Sequence, residues 1–158
     1  MHKRALLMIA FVGSALSGFA SSAYAAEFGT AEEAKAMLKR AIVALKADKL
    51  GAINGFNYND PPFRDRDLFV FCFNAGNGKF TAHEAFVTMD VRTLRDANRK
   101  AYGAEMYKDA QQGRITEVVF ISPVPGSTEL ATKRAYVTRI DDQICGVSAY
   151  GFNGTQLP

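Results

Sequence analysis

The sequence has 158 residues, 48% of them hydrophobic and 22% charged, with 13 Gly, 5 Pro and 2 Cys. That composition excludes a disordered chain, a collagen repeat and a coiled coil, and the length suits one domain. Of 19 basic residues, Lys3 and Arg4 fall in a leader segment, which leaves 17 against 16 acidic residues and a formal charge of +1. So near-neutral a balance provides no electrostatic footprint for nucleic acid or an anionic membrane surface.

His2, Lys3 and Arg4 precede the apolar run Ala5 to Val12, which passes through small residues to Ala23-Tyr24-Ala25. A basic start, a short apolar stretch and an Ala-x-Ala end mark a cleavable export signal. Cleavage is expected after Ala25, giving a signal over residues 1–25 and a single mature domain over residues 26–158. The apolar stretch falls short of the roughly 20 residues of a stable span, and Gly13, Ser14, Ser17 and Gly18 dilute it further. The alternative is an uncleaved N-terminal anchor. No second stretch of membrane length follows, so the mature chain is expected without a membrane span, in the periplasm of a two-membrane bacterium. Cys72 and Cys145 suit such an oxidising compartment. They admit one internal pairing, worth on the order of 4 kcal/mol in the chain-entropy treatment; the alternative is two buried thiols.

Thr30-Ala31-Glu32-Glu33 reads as a capping box opening a helix. Ala34, Met37, Leu38, Ala41, Ile42 and Leu45 continue it at three- and four-residue steps, and the helix is expected to end near Leu50 with Gly51 as its stop. The turn-rich stretch from Asn54 to Arg66, with Pro61-Pro62, predicts a loop. Asp67 to Asn74 is apolar on both alternating faces and predicts a central strand. Asn74-Ala75-Gly76-Asn77-Gly78 then turns into a second strand over residues 79–85. Residues 88–114 lose the period of two and predict a helical crossover with two short helices. Three more strands are expected over residues 116–124, 134–140 and 143–150, the last two joined at Asp141-Asp142. The order predicts an α+β domain on one mostly antiparallel sheet, with the long N-terminal helix across one face.

The residues also resemble a known family. Arg64-Asp65-Arg66-Asp67-Leu68-Phe69-Val70-Phe71, Gly78-Lys79-Phe80-Thr81-Ala82-His83 and Asp90-Val91-Arg92-Thr93-Leu94-Arg95-Asp96 follow one another in the order seen in extracytoplasmic Cache sensor domains of the single, type 2 form. Gly113-Arg114-Ile115-Thr116-Glu117-Val118, Lys133-Arg134-Ala135-Tyr136-Val137 and Gly146-Val147-Ser148-Ala149-Tyr150 continue it, so that the resemblance spans Phe28 to Phe152. It implies a PAS-like fold with a five-stranded antiparallel sheet, a long N-terminal helix, and a ligand cavity on the face away from that helix. It also implies small-molecule sensing, often of short organic acids or amino compounds. The sequence departs from the family pattern at Glu84, Met89 and Phe120, and it carries no signalling region, as in free-standing exported members.

Catalytic and metal chemistry finds little support. Cys72 is mid-strand between apolar residues, which disfavours a thiol nucleophile. His83 and Glu84 are adjacent on a strand and point to opposite faces, so they do not converge on one metal ion. No acid, base and nucleophile can be assembled, and no cofactor is expected. A binding site for a small molecule is the remaining reading. Arg64 and Arg66 precede the central strand and could close over an anion; His83, Lys133 and Tyr136 could add donors; Phe71 and Phe120 could form apolar walls. For each cation the alternative is a solvated surface charge, and for His83 and Tyr136 a core position. Two functions follow: a ligand-binding module that works alone or with a membrane sensor or other envelope protein, or an interaction module whose pocket is filled by its own side chains.

Overall fold

The computed structural model describes residues 28–151; the expected export signal over residues 1–25 lies outside them. Helix α1 (Ala31–Ala47) starts at the capping box. Thr30 Oγ1 accepts from the Glu33 N–H at 3.2 Å, and Glu33 Oε2 accepts from the Thr30 N–H at 2.7 Å. The helix buries Ala34, Met37, Leu38, Ala41 and Leu45, one stripe at helical spacing.

It ends before Leu50 and restarts. Asp48 closes α1 and caps α2 (Lys49–Asn57), its carboxylate accepting from the Gly51 N–H at 3.0 Å. Gly51 thus stands inside a helix and is not a stop. A Cβ added there would lie 2.4 Å from Asp48 Oδ2, so the missing side chain makes room for the cap. The stretch after Asn54, expected as loop, is helical through Asn57. Ala52 and Phe56 hold it by burial, with Phe56 edge-on to Phe63 at 4.7 Å between ring centroids.

The strands are β1 (Arg64–Asp65), β2 (Leu68–Asn74), β3 (Phe80–Ala82), β4 (Thr116–Pro123), β5 (Leu130–Ile140) and β6 (Gln143–Tyr150). All pairings are antiparallel, in the order β3–β2–β6–β5–β4, and the two-residue β1 shares the outer edge of β2 with β3. β3 is shorter than expected because His83 intervenes: its Nδ1 accepts the N–H groups of Ala85 and Phe86 at 3.0 and 3.3 Å. A side chain that satisfies backbone donors in this way competes with a strand ladder. β5 starts earlier than expected, since its ladder with β4 reaches the Leu130–Pro123 pair. A 3-10 turn (Val91–Thr93) and α3 (Tyr102–Asp109) form the crossover. They touch at Gly103, where an added Cβ would meet the Val91 carbonyl oxygen at 1.8 Å.

The period of two along β2, β4, β5 and β6 divides the core into two layers, while a register shift opposite Cys72 and Phe73 lets β3 send Phe80 to one and Ala82 to the other. On one face α1 and α2 set Ala34, Met37, Leu38, Ala41 and Phe56 against Val70, Tyr136 and Val147. On the other, Phe71, Phe73, Phe80, Val118, Phe120, Val137 and Ile144 pack beneath Val91 and Met106 of the crossover. Cys72 and Cys145, directly opposed in β2 and β6 on the helix side, are joined by a disulfide with Cα atoms 4.1 Å apart. Among the described residues no helix is long and apolar enough to cross a membrane.

Candidate ligand-binding site

The face turned away from α1 is where polar and charged side chains enter an apolar layer. In register, Lys133 of β5 pairs with Phe120 of β4 on one side and Tyr150 of β6 on the other. Ala135 pairs with Ser148, so small residues floor the middle of this face. Phe71 lies opposite Gly146, and Arg64 of β1 opposite Phe69.

The Lys133 ammonium lies 4.4 Å from the centroid of the Tyr150 ring, a cation–π contact. Among the described residues no carboxylate comes within the 4.0 Å of an ion pair with it. Burial pushes its pKa down, and the charges of Asp67 and Glu84 oppose that. A lysine so desolvated is held where a counter-charge would be worth more than on the surface.

His83 is enclosed by rings. Phe86 stacks on it at 4.5 Å, while Phe80 and Phe69 present edges at 4.9 and 5.3 Å. Burial drives its pKa down to about 4, against the charge of Glu84 and with that of Lys133. Because Nδ1 accepts two backbone N–H groups, the neutral ring carries its proton on Nε2. The ring therefore offers one donor, Nε2–H.

Asp67 joins this group from the turn between β1 and β2. Its Oδ1 accepts the Gly29 N–H at 2.6 Å, and its Oδ2 is buried with no hydrogen-bond partner among the described residues. Burial raises its pKa, against the nearby charges of Lys133 and Arg66. Tyr150, whose hydroxyl donates to the Pro123 carbonyl oxygen, has its pKa raised by burial and then by the Asp67 charge. The crossover covers the β4 end, where Tyr102 stacks flat on Phe120 at 4.2 Å and 7°.

The sequence-predicted residues divide accordingly. Phe71, His83, Phe120 and Lys133 share this face. Arg64 stands at its rim, donating to Glu84 Oε1 at 2.7 Å and Asn59 Oδ1 at 3.3 Å. Arg66 is engaged at the start of α1, with Glu33 at 2.8 Å, Asp65 at 2.6 Å and the Phe28 carbonyl oxygen at 2.9 Å. Tyr136 belongs to the opposite face: it is buried under α1 with the Lys35 ammonium 4.8 Å above its ring. It stands three positions from Lys133, an odd step that reverses the side of a strand. Asp67, Tyr102 and Tyr150 were not among the expected site residues. The same parity rule places Asp67 with Phe69 and Phe71, a signal present in the sequence. Among the described residues no group of three His, Cys, Asp or Glu side chains is placed to hold a metal ion.

No protein-family model and no curated protein matches the sequence. Solved structures do. A methyl-accepting chemotaxis protein from Vibrio parahaemolyticus superposes with a TM-score of 0.59 at 20% identity, covering 75% of this chain and 86% of that one. The periplasmic sensor domain of a chemotaxis protein gives 0.55 at 17%, covering 76% and 89%. A Cache chemosensory domain described for its carboxylic acid recognition gives 0.57 at 17%, covering 85% and 99%. The chain therefore has the fold of the Cache sensor domains.

Proposed function

We propose that this chain is an exported small-molecule-binding protein of the sensor type, which binds a small organic acid or amino compound on the sheet face opposite α1. In this reading residues 1–25 are a cleaved signal, residues 26–158 are one periplasmic domain, and the liganded state is presented to a membrane sensor or another envelope protein. The observation that carries the reading is Lys133: a desolvated ammonium with no carboxylate in ion-pair reach among the described residues, on the same face as the Nε2–H donor of His83. A buried charge is costly until it is paired, and a small carboxylate pairs it. Support also comes from the neighbours in fold, one of which is described by its carboxylic acid recognition. Phe71 and Phe120 supply walls and Arg64 the rim; the expected roles of Arg66 and Tyr136 are withdrawn, since both are engaged elsewhere.

A thermal-shift screen of the purified, oxidised protein against short carboxylates, amino acids and amines tests this. A ligand at 100 times its dissociation constant adds about 2.7 kcal/mol, a shift of several degrees for a domain of this size. The shift should vanish in Lys133→Ala. The stacking of Tyr102 on Phe120 favours a second reading, an interaction module whose pocket is filled by its own rings. A flat response across the screen would favour that one.

A further inference from the structure

Beyond the binding reading, we propose that residues 83–87 form a proton-operated gate at the β3 end of the domain, latched shut while His83 Nδ1 is free of a proton and released when Nδ1 takes one. The β3 ladder ends at Ala82. The chain returns to it at Thr88, whose N–H donates to the Phe80 carbonyl oxygen at 3.0 Å, while the Phe80 N–H donates to the Met89 carbonyl oxygen at 2.9 Å. Between these points His83 folds the segment back on itself, its Nδ1 accepting the N–H groups of Ala85 and Phe86 at 3.0 and 3.3 Å. That sets the Phe86 ring on the imidazole, 4.5 Å between centroids, and beside buried Phe80. Glu84 is held at the outside by Arg64 at 2.7 Å. The far end is strained, with β-branched Thr88 at φ 76° and its neighbours Val87 and Met89 exposed. A segment fixed by main-chain bonds at one end and by side chains at the other opens from the side-chain end.

The hydrogen bonds themselves make the latch sensitive to a proton. Nδ1 accepts two N–H groups through its lone pair, and a protonated Nδ1 is a donor that accepts neither. The surroundings do not hold a charged ring in place. Phe69 and Phe71 of β2, Phe80 of β3 and Phe86 enclose it, and α2 contributes the neutral Asn57, whose Oδ1 accepts the His83 N–H at 3.3 Å. Of the charged groups, Lys133 of β5 opposes a proton on the ring, while Glu84, already paired with Arg64 of β1, favours one. Burial lowers the pKa of the closed ring to about 4, whereas in an open segment the ring titrates near 6.5. Between those values the open form binds more protons, so closure is complete above 6.5 and weakens as pH falls toward 4, the opening constant rising about tenfold for each unit. Opening lifts Phe86 away and uncovers Phe80, the edge of the apolar layer that also holds Phe71 and Phe73.

Amide hydrogen exchange of the purified protein, read residue by residue by NMR between pH 7 and 4 and corrected for the intrinsic rates, tests the gate without any ligand. The opening constants of Ala85 and Phe86 should rise about tenfold per unit as pH falls from 6.5 toward 4, with the inner-strand amide of Val147 better protected at every pH. His83→Asn, whose Oδ1 can stand in for Nδ1 as an acceptor that does not titrate, should remove that dependence and keep the segment closed. Opening constants of Ala85 and Phe86 that do not change with pH would overturn the gate. So would exchange in step with Val147, which would mean that the segment opens only with the whole domain, or an unchanged dependence in His83→Asn. If that variant does not fold, imidazole nitrogen shifts of the unmodified protein decide: the ring should take its proton at the pH where Ala85 and Phe86 lose protection, and a ring that titrates while both stay protected refutes the latch. A flat ligand screen leaves this inference standing, and a failed gate leaves the binding reading standing.

Discussion

Gly146 and Phe71 face each other across β6 and β2, and the Phe71 ring occupies the place where Gly146 would carry a side chain. A Cβ there would lie 2.5 Å from Phe71 Cζ and 2.8 Å from both the Tyr136 carbonyl oxygen and Val137 Cγ1. The ring can swing aside, but the backbone oxygen of the neighbouring strand cannot. Gly146→Ala is expected to destabilise the fold by roughly 1–3 kcal/mol, the usual range for overpacking, and to weaken ligand binding by displacing Phe71. Urea midpoints of the two proteins check this; coincident curves would mean that the ring yields at no cost.

The disulfide closes a sequence separation of 73 residues between two inner strands. Loop-closure entropy for a loop of that length is about 4 kcal/mol. Both cysteines are fully buried on the helix side, so replacing them also removes packed sulfur from the core. The Cys72→Ala, Cys145→Ala double variant should lose about 2–5 kcal/mol. Denaturation of the original protein with and without a reducing agent provides the independent comparison, and the two losses should agree within the packing difference.

His83 makes stability depend on pH with a defined sign. A histidine in the unfolded chain titrates near 6.5, and burial lowers the folded value to about 4. Between those values the unfolded chain binds more protons than the folded one, so stability is fully present above 6.5 and is lost as pH falls toward 4. Asp67, whose pKa burial raises, acts in the opposite sense at the acid end. His83→Gln should flatten the dependence between pH 6.5 and 4, read as urea midpoints at half-unit steps. A slope of the same size in the variant would assign it to other groups.

Asp96 ties the crossover to the sheet. Its Oδ1 accepts the N–H groups of Asn98 and Lys100 at 2.9 and 2.8 Å, and its Oδ2 accepts that of Ile121 in β4 at 3.1 Å. Asp96→Ala strands three backbone donors, partly compensated by water, and should lower the urea midpoint. Because the same loop leads into Tyr102 over Phe120, hydrogen exchange should rise first over residues 96–102 and at Ile121. Exchange that rises evenly over the whole domain would contradict a local tether.

Much of the fold was legible along the chain because its signals are local. The capping box Thr30–Glu33, the helical stripe from Ala34 to Leu45, and the apolar strands over residues 68–74 and 143–150 each depend on residues a few positions apart. The errors were local as well. Gly51 is a strong helix stop by itself, yet Asp48, three residues earlier, caps a new helix and uses the glycine as space for its carboxylate. His83 looked like one more strand residue, and its ring nitrogen instead ended the strand.

The site divides by the same physics. Residue type and the family resemblance marked Lys133, His83, Phe71 and Phe120; the period of two, applied strictly along β5, also excludes Tyr136, and along the stretch from Asp67 to Phe71 it includes Asp67. Which cations are engaged was decided by tertiary structure alone. Arg66 meets Glu33 and Phe28, more than thirty residues away, whereas Lys133 finds an aromatic face and no carboxylate in reach. The orphan oxygen of Asp67 is of the same kind. Within the sequence Asp67 is one charge in the run Arg64-Asp65-Arg66-Asp67; only the tertiary structure sets one oxygen of this carboxylate on the Gly29 N–H and buries the other without a partner. Desolvation is a property of everything that surrounds an atom, so it has no short-range signature in the order of residues.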